Sequence, residues 1–207
     1  MDNTKEYQIL KEMLTKGDSK FSLELERAVQ QGFDVNYSLT RGQTLLSTAV
    51  ASAGSHNKPY YCDAIRDLLN AGADVNIKDR WGYSVTARAV AQNLPTDIIR
   101  IMLDKTNDIN ELDRNGRSIF GTACRAFVIS YNNSEQQNSR LEVIRILLEH
   151  EADPDIDSSW KILNAGGNEY AQEDARQALK DLGNVIEEAQ GTELEYTGLE
   201  YSYTPYF

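Results

Sequence analysis

Residues 68–89, which read LLNAGADVNIKDRWGYSVTARA, decide the fold of this chain. Residues 68–70 have the apolar character of a helix end. Gly72 follows where that helix stops, because glycine adopts left-handed backbone angles without a Cβ clash. A short extended segment, residues 77–82, comes next, and Ser84 then offers a hydroxyl group suited to cap a new helix. The stretch therefore predicts a helix end, a finger-like connection and a second helix start.

Parts of this stretch recur at two other places in the chain. A glycine follows an asparagine by six positions in every copy, and the pairs are Asn36/Gly42, Asn76/Gly82 and Asn110/Gly116. A hydroxyl residue suited to cap the next helix stands two positions after each glycine, namely Thr44, Ser84 and Ser118. The asparagines are separated by 40 and 34 residues, and the next equivalent residue, Asp155, follows Asn110 by 45. The finger has the same length in each copy, whereas the number of residues between copies varies. This pattern indicates stacked helical hairpins of unequal size.

The extra residues of the larger copies lie between the two helices of a hairpin, at residues 52–61 and 130–140. Both segments are rich in polar and turn-forming residues, as surface loops are. We therefore expect two loop insertions on the edge opposite the fingers. Such loops are more simply interpreted as tolerated insertions than as binding elements.

These motifs resemble the ankyrin repeat, whose second helix ends in a leucine pair and Gly-Ala-Asp-Val-Asn, followed by an Asp-x-x-Gly-x-Thr finger. The resemblance implies an all-α ankyrin-repeat solenoid of about five helix-turn-helix units joined by short β-hairpin-like fingers. The implied array covers residues 1–190, with an N-terminal cap (1–36), repeats 37–76, 77–110 and 111–155, and a C-terminal cap (156–190). Residues 191–207 form an acidic, tyrosine-rich tail.

Composition narrows the range of functions. The formal charge of −11 disfavours nucleic-acid binding, since phosphates require cations. No apolar run predicts a membrane span or a secretory signal, so no membrane partner is expected. Cys62 and Cys124 form no CxxC pair, and we interpret them as core residues of a protein in a reducing compartment. The sequence therefore predicts a cytoplasmic protein.

No grouping of residues predicts catalysis, a cofactor or a metal site. His56 and His150 have no sequence neighbours that suggest a triad or a metal cluster. The acidic run at residues 153–157 resembles the start of a calcium loop, but Ser158 and Asn164 stand where that loop requires glycine and glutamate. No phosphate-binding loop or zinc pattern occurs. We therefore expect a protein that is not an enzyme.

The resemblance implies that a partner protein contacts the finger tips and the exposed side of the first helices. Trp81 and Tyr83 are large aromatic residues at positions where folding does not require them, and such residues anchor interfaces. Basic residues gather on the same face. The candidate partner-binding residues there are Arg41, Lys78, Arg80, Trp81, Tyr83, Arg114, Asn115, Arg117 and Arg125. The alternative is that finger arginines pair with Asp79 and Asp113, which would leave little net charge.

The tail completes the candidate set with Tyr196, Tyr201 and Tyr203. It carries glutamates and aromatic residues but no lysine or arginine. A basic groove predicts an acidic, aromatic-bearing ligand, and the tail has that composition. The tail would then fold back on the groove or engage a second copy, whereas the alternative is a solubilising terminus.

Two functions remain open at this stage. The first is a non-catalytic protein–protein interaction module that uses the finger tips and the concave face. The second is a stoichiometric inhibitor, such as an immunity or anti-defence protein, that blocks a basic enzyme such as a nuclease through acidic surfaces. The sequence does not identify the partner protein.

Overall fold

The computed structural model of the chain describes residues 2–40, 42–54, 58–79, 82–130, 133–157 and 183–188. Within these ranges the secondary structure is helical and contains no strand, which confirms the predicted all-α class. The helices are α1 (Asn3–Lys16), α2 (Phe21–Gln30), α3 (Leu45–Ala53), α4 (Lys58–Asn70), α5 (Val85–Ala91), α6 (Thr96–Leu103), α7 (Ile119–Ile129) and α8 (Ser134–Glu149). Residues 183–188 add a short helical segment.

The helix boundaries follow from the chemistry of single residues. The hydroxyl groups of Thr44, Ser84 and Ser118 each accept a hydrogen bond from the backbone N–H three residues on, at 2.9–3.1 Å. These bonds satisfy N–H groups that have no partner inside the helix, as predicted for an N-cap. At the end of α4, Gly72 has a φ of +91° and the next N–H, that of Ala73, donates to the Leu68 carbonyl at 2.9 Å. This is the left-handed stop that the sequence predicted.

The helices form two layers. The first layer holds α1, α3, α5 and α7, and the second holds α2, α4, α6 and α8. Each helix contacts the next one in its own layer and also its hairpin partner. Fully buried side chains such as Leu46, Ile65, Ile98 and Phe120 join the hairpins into one hydrophobic core. Because each hairpin covers the apolar side of its neighbour, the core runs the length of the stack.

Three asparagines, Asn36, Asn76 and Asn110, fix the register between successive hairpins. Each side-chain nitrogen donates to a carbonyl near the end of the next second-layer helix, at 2.9–3.3 Å. Each side-chain oxygen accepts from the N–H two residues beyond that carbonyl, at 2.7–2.9 Å. The three residues are therefore structurally equivalent, in agreement with their equal distance from the finger glycines.

The prediction of two loop insertions is wrong for most of their length. Residues 58–61 form the first turn of α4, and residues 134–140 form the first half of α8. These helices have 13 and 16 residues, whereas α6 has eight. Tyr60 shows why the added turn is stable, since its hydroxyl donates to the Asp18 carbonyl at 3.3 Å and its ring packs against Tyr61. Polar residues are equally compatible with a helix that exposes one side to water.

Of the predicted C-terminal cap (156–190), the structure describes residues 156–157 and 183–188. Val185 and Ile186 are buried in the common core. The remainder of residues 158–190 and the whole tail, with Tyr196, Tyr201 and Tyr203, lie outside the described residues. Among the helices that are described, none combines the length and the apolar character that crossing a membrane requires.

Candidate functional site

The second and third fingers are tight turns, each closed on an aspartate. The Asp79 N–H donates to the Tyr83 carbonyl at 3.0 Å, and the Asp79 carbonyl accepts from the Gly82 N–H at 3.0 Å. Asp113 makes the two equivalent bonds in the third finger, at 2.9 and 3.0 Å. Each aspartate side chain also accepts from the N–H four residues on, at 2.9 and 3.0 Å. The fingers thus hold their shape through backbone bonds and one carboxylate each.

Adjacent fingers touch through their glycines. Gly42 has a φ of +74°, and a Cβ at this position would lie 2.6 Å from the Cα of Asp79. Gly82 has a φ of +83°, and its Cβ would lie 3.0 Å from the Cγ of Arg114. Only glycine combines this backbone conformation with such a close approach. The fingers therefore lie side by side along one edge of the stack, in chain order.

Tyr83 lies at the base of the second finger. Its ring is half-buried against the hydrophobic core, so it contributes to packing, contrary to the expectation that folding does not require it. The guanidinium carbon of Arg117 lies 5.4 Å from the centre of this ring. Burial raises the pKa of Tyr83, while the positive charges of Arg117 and Arg125 act in the opposite direction. Of these two cations, Arg117 is the one in direct contact with the ring.

Arg117 also faces Asp113, with 3.4 Å between Nε and Oδ2. The Asp113 side chain is only 6% exposed. Burial acts to raise the pKa of Asp113, but backbone N–H groups of Arg117 and Asn115 and the charge of Arg117 bring it below its ordinary value. Asp113 therefore stays ionised near neutral pH and offsets one positive charge.

The other cations of this face differ in their partners. Lys78 forms an ion pair with Glu111, which joins the second finger to the base of the third. Asp79 binds Arg88 of α5 at 2.9 Å. Arg114 and Arg125 are exposed and form no ion pair with any residue in the described ranges. The alternative, that finger arginines pair with Asp79 and Asp113, is therefore met by Arg117 with Asp113, whereas Arg114 and Arg125 make no such pair within the described ranges.

A narrow crevice separates the second and third fingers. Its volume is about 30 Å³, which admits a water molecule. Tyr83, Arg117 and Asp113 contribute to its lining. A shallow depression, lined in part by Leu112 and Arg114, opens to solvent nearby. The crevice is far smaller than the several hundred Å³ that a small-molecule site requires. In the part of the chain that the structure describes, no group of three or more His, Cys, Asp or Glu side chains is arranged to hold a metal ion.

The structure thus brings together four of the predicted residues, Tyr83, Arg114, Arg117 and Arg125, which we call the arginine cluster. Asn115 lies exposed at the tip of the same finger. Lys78 is near but is neutralised by Glu111. Arg41, Arg80 and Trp81 lie outside the described residues. Sequence reasoning missed Arg88 and Glu111, whose role depends on neighbours from other hairpins.

No protein-family model matches this chain, and a search of curated proteins finds no match. The function must therefore be inferred from the site itself.

Proposed function

We propose that the chain is a non-catalytic, ankyrin-type protein-interaction module that binds a partner polypeptide in the cytoplasm. The partner lies along the finger tips and the exposed side of the first-layer helices. The single observation that carries this proposal is the exposure of Arg114 and Arg125 beside Tyr83, on an edge whose shape depends on backbone bonds. Arginine and tyrosine are the residue types that most often contribute large binding energies at interfaces.

The construction of the fingers supports this proposal. Their turns depend on Asp79, Asp113 and the finger glycines, whose bonds involve the backbone. The side chains of Arg114 and Asn115 project at the tip and are exposed. Because the fold does not depend on burying these tip side chains, they are available for recognition.

The distribution of charge supports a polypeptide with acidic groups. The chain as a whole carries a formal charge of −11, yet the arginine cluster holds three guanidinium groups. The carboxylates that line the crevice and the depression beside it include Asp113, which faces Arg117, and Asp79 and Glu111, which bind Arg88 and Lys78. A local positive patch on an acidic protein attracts an acidic partner and repels other copies of the basic face. The overall charge disfavours nucleic acid as the occupant.

The ankyrin part of the proposal draws on the repeated contacts between hairpins. The asparagine bridges recur at Asn36, Asn76 and Asn110, and the glycine contacts recur at Gly42 and Gly82. Repetition of the same contacts at equivalent positions is what a solenoid requires.

The inhibitor alternative is less well supported, because many acidic side chains have partners inside the chain. Four aspartates near the ends of second-layer helices accept a hydrogen bond from the N–H two residues on, at 2.8–2.9 Å; they are Asp34, Asp74, Asp108 and Asp153. In the second layer, Asp97 binds Arg66 at 2.7 Å and Glu149 binds Arg100 at 2.6 Å. These contacts are a structural reason for the carboxylates to be present.

Selection of random peptides displayed on phage, with the full chain as bait, tests the proposal. We expect the wild-type chain to enrich a defined set of sequences that the variant R114E/R125E no longer captures. The matched control is R145E/K105E, which makes the same change in charge at exposed positions near the second layer. The proposal is wrong if R114E/R125E enriches the same sequences, or if only the control variant loses them.

A further inference from the structure

If the fingers bind a partner, as proposed above, the residues of the arginine cluster indicate the chemistry of the segment that they bind. Arg117 and Arg125 both act on the phenol of Tyr83, and Arg114 lies against the adjacent Gly82. The guanidinium carbon of Arg117 lies 5.4 Å from the centre of the Tyr83 ring, so the third finger and α7 supply three arginines on the side of the molecule that holds this tyrosine. Such groups repel one another, so an arrangement of this kind favours binding of an anion.

The cations of the cluster are not equally available. Asp113 offsets Arg117, whose guanidinium also covers the Tyr83 ring. Arg114 and Arg125 are exposed and make no ion pair within the described ranges. A guanidinium group binds a carboxylate through two parallel hydrogen bonds. The cluster therefore offers two guanidinium groups for carboxylates, and Arg117 adds a third positive charge that Asp113 offsets.

An apolar position accompanies these cations. Leu112 precedes the third finger, is 42% exposed and shares the shallow depression with Arg114. An exposed leucine beside an exposed arginine suits a ligand that alternates apolar and acidic side chains. A phosphate group alone would leave Leu112 in water, whereas a peptide with leucine or tyrosine next to glutamate would cover it.

We propose that the arginine cluster and Leu112 recognise an acidic polypeptide segment in which glutamate is flanked by leucine and tyrosine. The chain itself contains this triplet twice, as Leu-Glu-Tyr at residues 194–196 and 199–201. No lysine or arginine occurs from residue 191 to the end. The peptide of residues 193–201, ELEYTGLEY, is therefore a probe of the required composition.

Fluorescence anisotropy of the labelled peptide ELEYTGLEY, titrated with the full chain, tests this proposal. The receptor carries E193Q/E195Q/E200Q so that its own tail does not compete. We expect binding that weakens with added salt, and a loss of about tenfold or more with R114E/R125E, because charge-assisted bonds are removed. R145E/K105E in the same background is expected to bind as the unmodified receptor does.

Reversing the charge of the peptide shows whether R114E/R125E loses binding because recognition is lost or because the protein is unfolded. The peptide KLKYTGLKY is expected to bind R114E/R125E more tightly than the acidic peptide does, which requires an intact site. The proposal is overturned if adding R114E/R125E to the E193Q/E195Q/E200Q chain leaves its affinity for ELEYTGLEY unchanged. It is also overturned if the E193Q/E195Q/E200Q chain binds the uncharged peptide QLQYTGLQY as tightly as it binds ELEYTGLEY. If phage selection nevertheless yields ligands of other composition that depend on the fingers, the proposed function stands and only the ligand chemistry is wrong.

Discussion

The side-chain oxygen of Asn76 accepts a hydrogen bond from the backbone N–H of Asn107 at 2.9 Å. The nitrogen of the same side chain donates to the Lys105 carbonyl, also at 2.9 Å. One carboxamide thus joins the start of one hairpin to the helix end of the next. This bridge therefore fixes the spacing of the two hairpins without using the finger-tip side chains of Arg114 and Asn115.

Asn76→Ala is expected to lower the free energy of unfolding by about 1–3 kcal/mol, since two backbone groups lose their partner. Asn70→Ala, which changes an exposed side chain at the end of α4, is expected to alter it by less than about 0.5 kcal/mol. Urea unfolding followed by circular dichroism measures both values. Equal stability of the two variants would show that the bridge does not fix the register.

Two glycine substitutions separate backbone strain from close packing. Gly42 and Gly72 both have a positive φ, of +74° and +91°, so alanine at either position costs about 1–2 kcal/mol. Only Gly42 also lies against the next finger, whereas a Cβ at Gly72 meets nothing within 4 Å. We therefore expect Gly42→Ala to be the more destabilising variant in urea unfolding. The opposite order would contradict the side-by-side arrangement of the fingers.

Asp113 is expected to make stability depend on pH in the acid range. Its pKa in the folded protein lies below the ordinary value of 3.8, so ionisation stabilises the folded state above pH 3.8. That contribution is lost as the pH falls from 3.8 through the lower, folded-state pKa. Asp113→Asn is therefore expected to be less stable than the wild type at neutral pH, with a difference that shrinks in acid. Unfolding free energies measured across this range provide the test, and a difference that does not change with pH would exclude the assignment.

Both cysteines are expected to resist alkylation in the folded protein. Cys62 and Cys124 are buried, and burial raises the pKa of Cys124, which keeps it a thiol. Iodoacetamide is expected to label them only after urea unfolding. Asn115→Cys places a third thiol on the exposed finger tip and is expected to react at once without denaturant. Rapid labelling of Cys124 in the folded chain would show that the core between α7 and its neighbours opens readily.

Local chemistry explains which parts of the fold could be predicted from the sequence. Gly42, Gly82 and Gly116 adopt positive φ values, and Thr44 caps its helix, because these outcomes depend on residues only a few positions away. The extension of α4 was missed because Tyr60 is held by Asp18, a residue of another hairpin. Helix length here depends on a tertiary contact that composition does not reveal.

The end of α6 is a second feature that could not be predicted from the sequence. α6 ends at Leu103 without a left-handed glycine. In the other two bridges the donor N–H belongs to an aspartate, Asp74 or Asp153, but here Asn107 donates instead of the equivalent Asp108. The chain thus accommodates one extra residue between bridge and finger motif. At the site, the sequence predicted basic residues on one face, but it did not predict the pairing of Asp79 with Arg88. Ion pairs between side chains of a finger and a helix depend on the final packing.

The most direct test of the central claim is hydrogen–deuterium exchange of the full chain with and without a saturating amount of the best peptide from the phage selection. We expect slower exchange at the backbone amides of residues 82–83 and 112–117 and along α7, where the arginine cluster lies. Exchange in α4, α6 and α8 is expected to stay unchanged. Protection confined to those second-layer helices, with none at the fingers, would show that the partner does not bind the fingers.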